Sequence, residues 1–175
     1  LYPGHTTHRM HAHPNRTGSA LINSLLEAAE NAGVDVVCSA QVEDLFARKD
    51  GEIQGLSIRR PDGVVELVGC DALILASNGF GGNRIMVDEF IPEMSDSLYF
   101  GHAGNKGDSV SWAKQLNLRL SQMGSYQGHG SVATPHGVLI TWAIIMEGGI
   151  QLNCDGVRFS NETEGYSEQA LNVLK

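Results

Sequence analysis

Apolar residues first recur at helical spacing between residues 17 and 32. Leu21, Ile22, Leu25, Ala28, Ala29 and Ala32 share one face, the pattern of an amphipathic helix. Thr17 or Ser19 offers an N-cap hydroxyl and Gly33 a C-terminal stop, so the spacing predicts a helix ending near Ala32. Short β-type runs follow. Val34–Ser39 is one; Gln41–Arg48 and Glu52–Arg59 are joined through Lys49-Asp50-Gly51, a hairpin signal. Val64–Val68 follows the turn Arg60-Pro61-Asp62-Gly63. Ala72–Ala76 is apolar throughout, as a strand covered on both faces would be.

Residues 17–79 therefore read as helix, strand, β-meander and buried strand, part of an α/β sheet with an inserted antiparallel layer. After Gly82 the pattern changes. Asp108 is placed to cap a helix running to about Asn117. Glycine-rich loops and the apolar run Val138–Met146 come next. Gly148–Asn153, Cys154-Asp155-Gly156 and Val157–Ser160 then read as strand, turn and strand. A soft boundary falls near residues 80–100, and no internal repeat is present.

Composition narrows the function classes. A length of 175 residues allows one domain or two small ones, and 42% hydrophobic against 18% charged residues excludes a disordered chain. The net charge of −8 and the lack of a Lys/Arg run argue against a nucleic-acid or anionic-membrane partner. Val138–Met146 falls well short of the roughly 18–20 apolar residues of a membrane span. Three scattered cysteines, Cys38, Cys70 and Cys154, form no disulfide framework and suit a reducing cytoplasm. The first ten residues have no signal-peptide pattern, and the missing initiator Met leads us to expect a piece of a longer protein.

Glycine is the outlier: 21 in 175 residues, against a usual share of about 7%. The glycines cluster, which suggests tight turns and close backbone approach to a ligand. Ala76-Ser77-Asn78-Gly79-Phe80-Gly81-Gly82-Asn83 directly follows the apolar run. Glycines at a strand's carboxyl end let backbone N–H groups approach a nucleotide; the plainer reading is a flexible turn. Tyr126-Gln127-Gly128-His129-Gly130 sets an amide and an imidazole two residues apart, either to orient a polar substrate group or as a solvated loop. Asn153–Glu162 carries Arg158, Asn161 and Glu162 close together, the makings of a polar network. His5, His8, His11 and His13 crowd the amino-terminal segment, but their spacing fits no standard zinc pattern, so no metal ligand is assigned. No G-x-G-x-x-G occurs in the chain, so the usual phosphate loop of a dinucleotide fold is missing.

In order, these segments resemble one family: the flavoproteins that include fumarate reductases, succinate dehydrogenase flavoprotein subunits and 3-ketosteroid Δ1-dehydrogenases. LILASNGFGGN is similar to the family's A-T-G-G-F-x-x-N, with Ser77-Asn78 in place of Thr-Gly. NKGDSVSWAKQLNLRLSQM is similar to its T-G-D-G-x-x-M-A helix, with Ser109 in place of the last Gly. GGIQLNCDGVRFSNE is similar to G-x-x-x-V-N-x-x-G-x-R-F-x-N-E. The resemblance implies a mixed α/β fold. Residues 1–83 would be part of a Rossmann-like FAD-binding domain with a β-meander, and residues 84–175 part of an α+β capping domain.

It also implies FAD as cofactor, with Gln41 and Val42 near the adenine, Ser77, Asn78 and Gly79 at the nucleotide, and Asp108 near the flavin end. Gln127 and His129 match the family's Q-A-H, whose His binds a substrate carboxylate. Thr141 matches the Thr of a T-E pair, but Trp142 replaces the Glu. Where fumarate reductases place a proton-donating Arg, this chain has Tyr166; ketosteroid dehydrogenases have a catalytic Tyr at that offset, preceded by Pro where this chain has Gly165. The implied activity is hydride transfer between flavin and a C–C bond of a small carbonyl- or carboxylate-bearing molecule, with Tyr166 and His129 as catalytic residues and Gln127, His129 and Thr141 binding substrate. The electron partner is left unassigned. The readings kept open beside it are a Tyr166 that only packs, an inactive apo module, and a metal-binding module built on the histidines.

Overall fold

The computed structural model describes residues 6–8, 11–133 and 135–175. The chain divides into two compact units, one of Arg9–Ala76 with Lys114–Asn117, the other of Leu1–His8, Ser77–Ala113 and Leu118–Lys175. Both mix helix and strand.

In the first unit α1 spans Gly18–Asn31. Thr17 is its N-cap, accepting from the Ala20 N–H, and Gly33 at φ +71° takes the left-handed turn that ends it. The predicted apolar face forms, yet no α1 residue is buried; Leu21, Ile22, Leu25 and Leu26 are exposed. Three strands, β1 (Gln41–Ala47), β2 (Ile53–Arg59) and β3 (Val65–Gly69), make the expected antiparallel meander. A register shift between Val42 and Asp44 marks a bulge, and the Ser57 hydroxyl accepts from the Asp44 N–H there. Arg59 with Glu43, and Arg60 with Glu66, form bidentate ion pairs on the sheet.

Two expected strands are corrected. Val34–Ser39 and Ala72–Ala76 join no strand ladder among the described residues. An apolar run becomes a strand only when a neighbour meets its N–H and C=O groups. Here Val34, Val36, Val37 and Ile74 are exposed.

The second unit contains α2 (Arg84–Phe90), which the sequence reading missed; it is only seven residues long, too short to display a helical repeat. Its N-cap is Asn83, whose Oδ1 accepts from Met86 N–H. A 3-10 turn, Pro92–Met94, follows. Helix α3 spans Asp108–Gln115. Asp108 is not its cap but its first residue, and the Gly107 carbonyl accepts from the Ser111 N–H. The Asp108 carboxylate is thus in the first turn, where the helix dipole favours negative charge. Val138–Met146 divides into β5 (Val138–Leu139), paired with β4 (Val132–Ala133), and the single-turn α4 (Ala143–Met146). The strand–turn–strand expected over 148–160 reduces to one bridge, Leu152 to Arg158. Tyr166–Leu174 is α5, unforeseen because Gly165 stands where a capping side chain would announce it. Val87, Ile91, Val110, Trp112, Trp142 and Ala170 are buried in this unit.

Candidate active site

Tyr166 is the first residue of α5, and the loop 127–130 lies directly against that helix. Glycine makes this possible. A Cβ at Gly128 would stand 2.7 Å from the Ala170 Cβ, and one at Gly130 would meet the Gln169 and Ala170 backbone at 3.1 Å. The close approach brings Gln127 and His129 to Tyr166. Gln127 Nε2 donates to the Tyr166 hydroxyl at 2.5 Å. His129 stacks on the Tyr166 ring, centroids 5.4 Å apart and planes 27° from parallel.

Trp142 completes the group. It is 3% exposed and meets both rings edge-on, at 5.9 Å from His129 and 6.3 Å from Tyr166. Its buried indole N–H has no partner among the described residues. Sequence reasoning noted Trp142 only as a replacement for Glu; its place against the two catalytic candidates is visible only in three dimensions. Burial pushes the His129 pKa below its ordinary value. Thr141 accepts from the Ala143 N–H at 3.4 Å and is not among the residues lining the cavity described below.

The R-F-x-N-E stretch holds α5 in place. Glu162, 2% exposed, accepts from Arg158 Nη2 at 2.6 Å and from the Gln151 N–H at 2.8 Å. The hydrogen bonds from Arg158 and then Gln151 lower its pKa to about 2. Gln169, fully buried, donates to Gln151 and Ser160, and Gln151 Nε2 donates to the Gly130 carbonyl at 2.7 Å. The chain Arg158–Glu162–Gln151–Gly130 thus ties the motif to the loop that carries His129.

On the glycine-rich side, Asn78 takes φ +66° and its Oδ1 accepts from the Gly79 N–H. Gly81 and Gly82 are glycines because protein fills the space beside them: a Cβ at Gly81 would strike the Tyr99 ring, and one at Gly82 the Ala103 and Asn105 carbonyls at 3.0 Å. Gly107, at φ +81°, is pressed against Met86 and Phe80. Only Gly79 in this loop faces open space. Ser77 and Ser109 hydroxyls meet at 2.5 Å.

A cavity of about 950 Å³ joins these parts. Asn78 and Gly79 line it together with Gln127, His129 and Tyr166. Gln41 and Val42 open β1 in the other unit, paired with Arg59 and Ile58. No group of three or more metal-binding side chains gathers among the described residues. His5 lies outside them. No described helix is long and apolar enough to cross a membrane.

Comparison with known proteins gives this arrangement a family. The family model for the FAD binding domain matches residues 2–174. The chain belongs to the FAD binding domain family. It is 26% identical over 169 residues to a probable fumarate reductase of Shewanella frigidimarina, covering 97% of this chain and 29% of that protein. The open conformation of a flavocytochrome c3 fumarate reductase superposes with a TM-score of 0.77 at 26% identity, over 97% of this chain and 30% of that one. A 3-ketosteroid-Δ4-(5α)-dehydrogenase from Rhodococcus jostii shares the fold at a TM-score of 0.64 and 23% identity, over 84% of this chain and 28% of its own. The chain spans under a third of the length of these relatives. The fold is mixed α/β, as the sequence implied, and the family's cofactor is FAD. The residues present fit part of that group: the exposed backbone at Gly79 and the left-handed Asn78 before it border a cavity with room for a ligand.

Proposed function

We propose that this chain is part of an FAD-dependent oxidoreductase acting on a C–C bond beside a carbonyl or carboxylate. The observation that carries this reading is the shared cavity, bordered by the Asn78-Gly79 backbone and by Gln127, His129 and Tyr166. FAD, when bound, supplies hydride transfer to or from the substrate carbon. Ser77, Asn78, Gly79 and Asp108 would hold it, with Gln41 and Val42 toward the adenine. In this reading the division falls near residue 83, with residues 84–175 capping the site.

The chain's own residues supply orientation and proton transfer. In the dehydrogenation direction a proton leaves the carbon next to the hydride donor, and Tyr166 takes it as phenolate. Gln127 Nε2 donates to the Tyr166 oxygen and orients it. His129 and Trp142 pack against the ring from the other sides. Gln127 and His129 are the substrate-binding pair; Thr141 does not line the cavity.

Among substrates, the ring-lined cavity favours a ketosteroid-dehydrogenase-like reaction on a carbonyl compound. Fumarate reduction is the second reading, supported by the names of the relatives. Tyr166→Phe in the longer enzyme tests the assignment. Turnover should fall roughly 10²–10⁴-fold, the usual worth of general acid–base catalysis, while bound flavin is retained. Near-full turnover would leave Tyr166 as a packing residue.

A further inference from the structure

The hydrogen-bond chain behind His129 fixes where its proton is. Ser131 lies at the start of the β4–β5 hairpin, and its carbonyl accepts from the Ile140 N–H at 2.9 Å. Its hydroxyl donates to the Ile140 carbonyl at 2.8 Å. The same oxygen is 3.0 Å from His129 Nδ1. A serine hydroxyl has one proton, and the Ile140 carbonyl can only accept. The remaining contact is satisfied when Nδ1–H donates to Ser131 Oγ. In a neutral imidazole, Nε2 is then the acceptor.

The Tyr166 oxygen accepts from Gln127. Of the cationic side chains lining the cavity, Arg84 pairs with Asp88 at 3.4 Å, and Lys106 Nζ gives one of its three protons to the Gly82 carbonyl at 2.8 Å.

We propose that Ser131 holds His129 as the Nδ1–H tautomer with Nε2 as a hydrogen-bond acceptor, so that the cavity takes an uncharged, hydroxyl-bearing substrate rather than a carboxylate. This rests on the oxidoreductase reading above for the site's purpose, and deepens it by naming the substrate class. A carboxylate offers only lone pairs to the Nε2 lone pair, whereas a hydroxyl donates to it. Packing of His129 against the buried Trp142 disfavours the imidazolium that a carboxylate would need, since desolvation penalises the charged form. Ser131 is the positioning residue: it touches no reacting atom and sets which ring nitrogen is free.

The test reads the tautomer directly. The chain is labelled with ¹⁵N-histidine, long-range ¹H–¹⁵N spectra are recorded at about pH 7.5, and His129 is assigned by its loss in His129→Gln. Expected is a protonated Nδ1 and an unprotonated Nε2. Ser131→Ala should bring the Nε2–H form into the population, and Ser131→Thr should restore the wild-type pattern. Phenol should move the Nε2 resonance, while anisole, which lacks the donor, and fumarate should not. An Nε2–H form or an imidazolium in the wild-type chain overturns the proposal. So does an unchanged tautomer in Ser131→Ala, a silent phenol titration, or a fumarate response at lower concentration than phenol. None of these readouts involves turnover. An oxidoreductase that fails them keeps its activity and loses this substrate class, whereas an inactive longer enzyme with the expected tautomer fails on the function alone.

Discussion

The Cβ of Ala170 lies 2.7 Å from the point where a Cβ on Gly128 would stand. A contact under 3.0 Å between two Cβ atoms forces backbone to move, because neither end is flexible. Gly128→Ala should therefore push the loop off α5 and destabilise the fold by about 1–3 kcal/mol, the range for overpacked sites. Urea unfolding measures it. Loss of the His129–Tyr166 stack should accompany it, visible as a change in tyrosine near-ultraviolet circular dichroism.

Gly165 sits just before Tyr166 at φ 121°, ψ 160°, a region open essentially to glycine alone. Gly165→Ala should cost about 1–3 kcal/mol. Gly165→Pro should cost more, since proline holds φ near −65° and must swing the start of α5. Thermal melts of the two variants should rank wild type above Ala and Ala above Pro.

The Glu162 carboxylate makes stability depend on acid. Its pKa falls from an ordinary 4.5 to about 2 on folding, so the unfolded chain binds the proton more readily. Its contribution is complete above about pH 4.5 and disappears as pH drops toward 2. Glu162→Gln should remove that part of the acid transition and destabilise the chain by about 1–3 kcal/mol at neutral pH, the cost of a buried partner left unmatched. Melting midpoints from pH 6 down to 2 give the comparison.

His129 acts in another window and for another reason. Burial lowers its folded pKa, so protonation favours the unfolded chain. Its neutral form is no handicap above an unfolded pKa of about 6.5, and stability falls as pH drops below that value. In His129→Gln this slope between about pH 7 and 5 should flatten. An unchanged slope would place the titration elsewhere.

Flavin binding by these 175 residues alone should be weak. The chain contains no G-x-G-x-x-G, so the backbone donors that such a loop gives a pyrophosphate are missing, each charge-assisted bond worth about 1.5–3 kcal/mol. Titration followed by flavin fluorescence should give a dissociation constant above micromolar. A tighter value would mean that the Asn78-Gly79 side suffices.

Several features of the site were legible in the sequence, and others needed space. The meander was readable because Gly51 and Gly63 mark its turns. Family departures noted along the chain find reasons in the fold. Asn78 stands where relatives have Gly, and its φ of +66° is one that Asn tolerates. Ser77 and Ser109 are separate departures in sequence whose hydroxyls meet. Gly165 replaces a Pro that could not adopt its φ. Trp142 was not legible: its partners His129 and Tyr166 are 13 and 24 positions away on opposite sides, and no periodicity links them. The glycines at 81 and 82 suggested a ligand and instead make room for Tyr99 and for carbonyls.

Ile74, 88% exposed in the middle of Ala72–Ala76, has a consequence at the bench. An apolar run without a ladder partner presents bare amide edges, and such edges recruit identical copies of themselves. At the concentrations of a spectrometer tube this segment, with Val36 and Val37 beside it in composition, is where clumping would begin. Ile74→Lys would act as a gatekeeper there, lengthening the shelf life of a sample without touching any residue of the cavity.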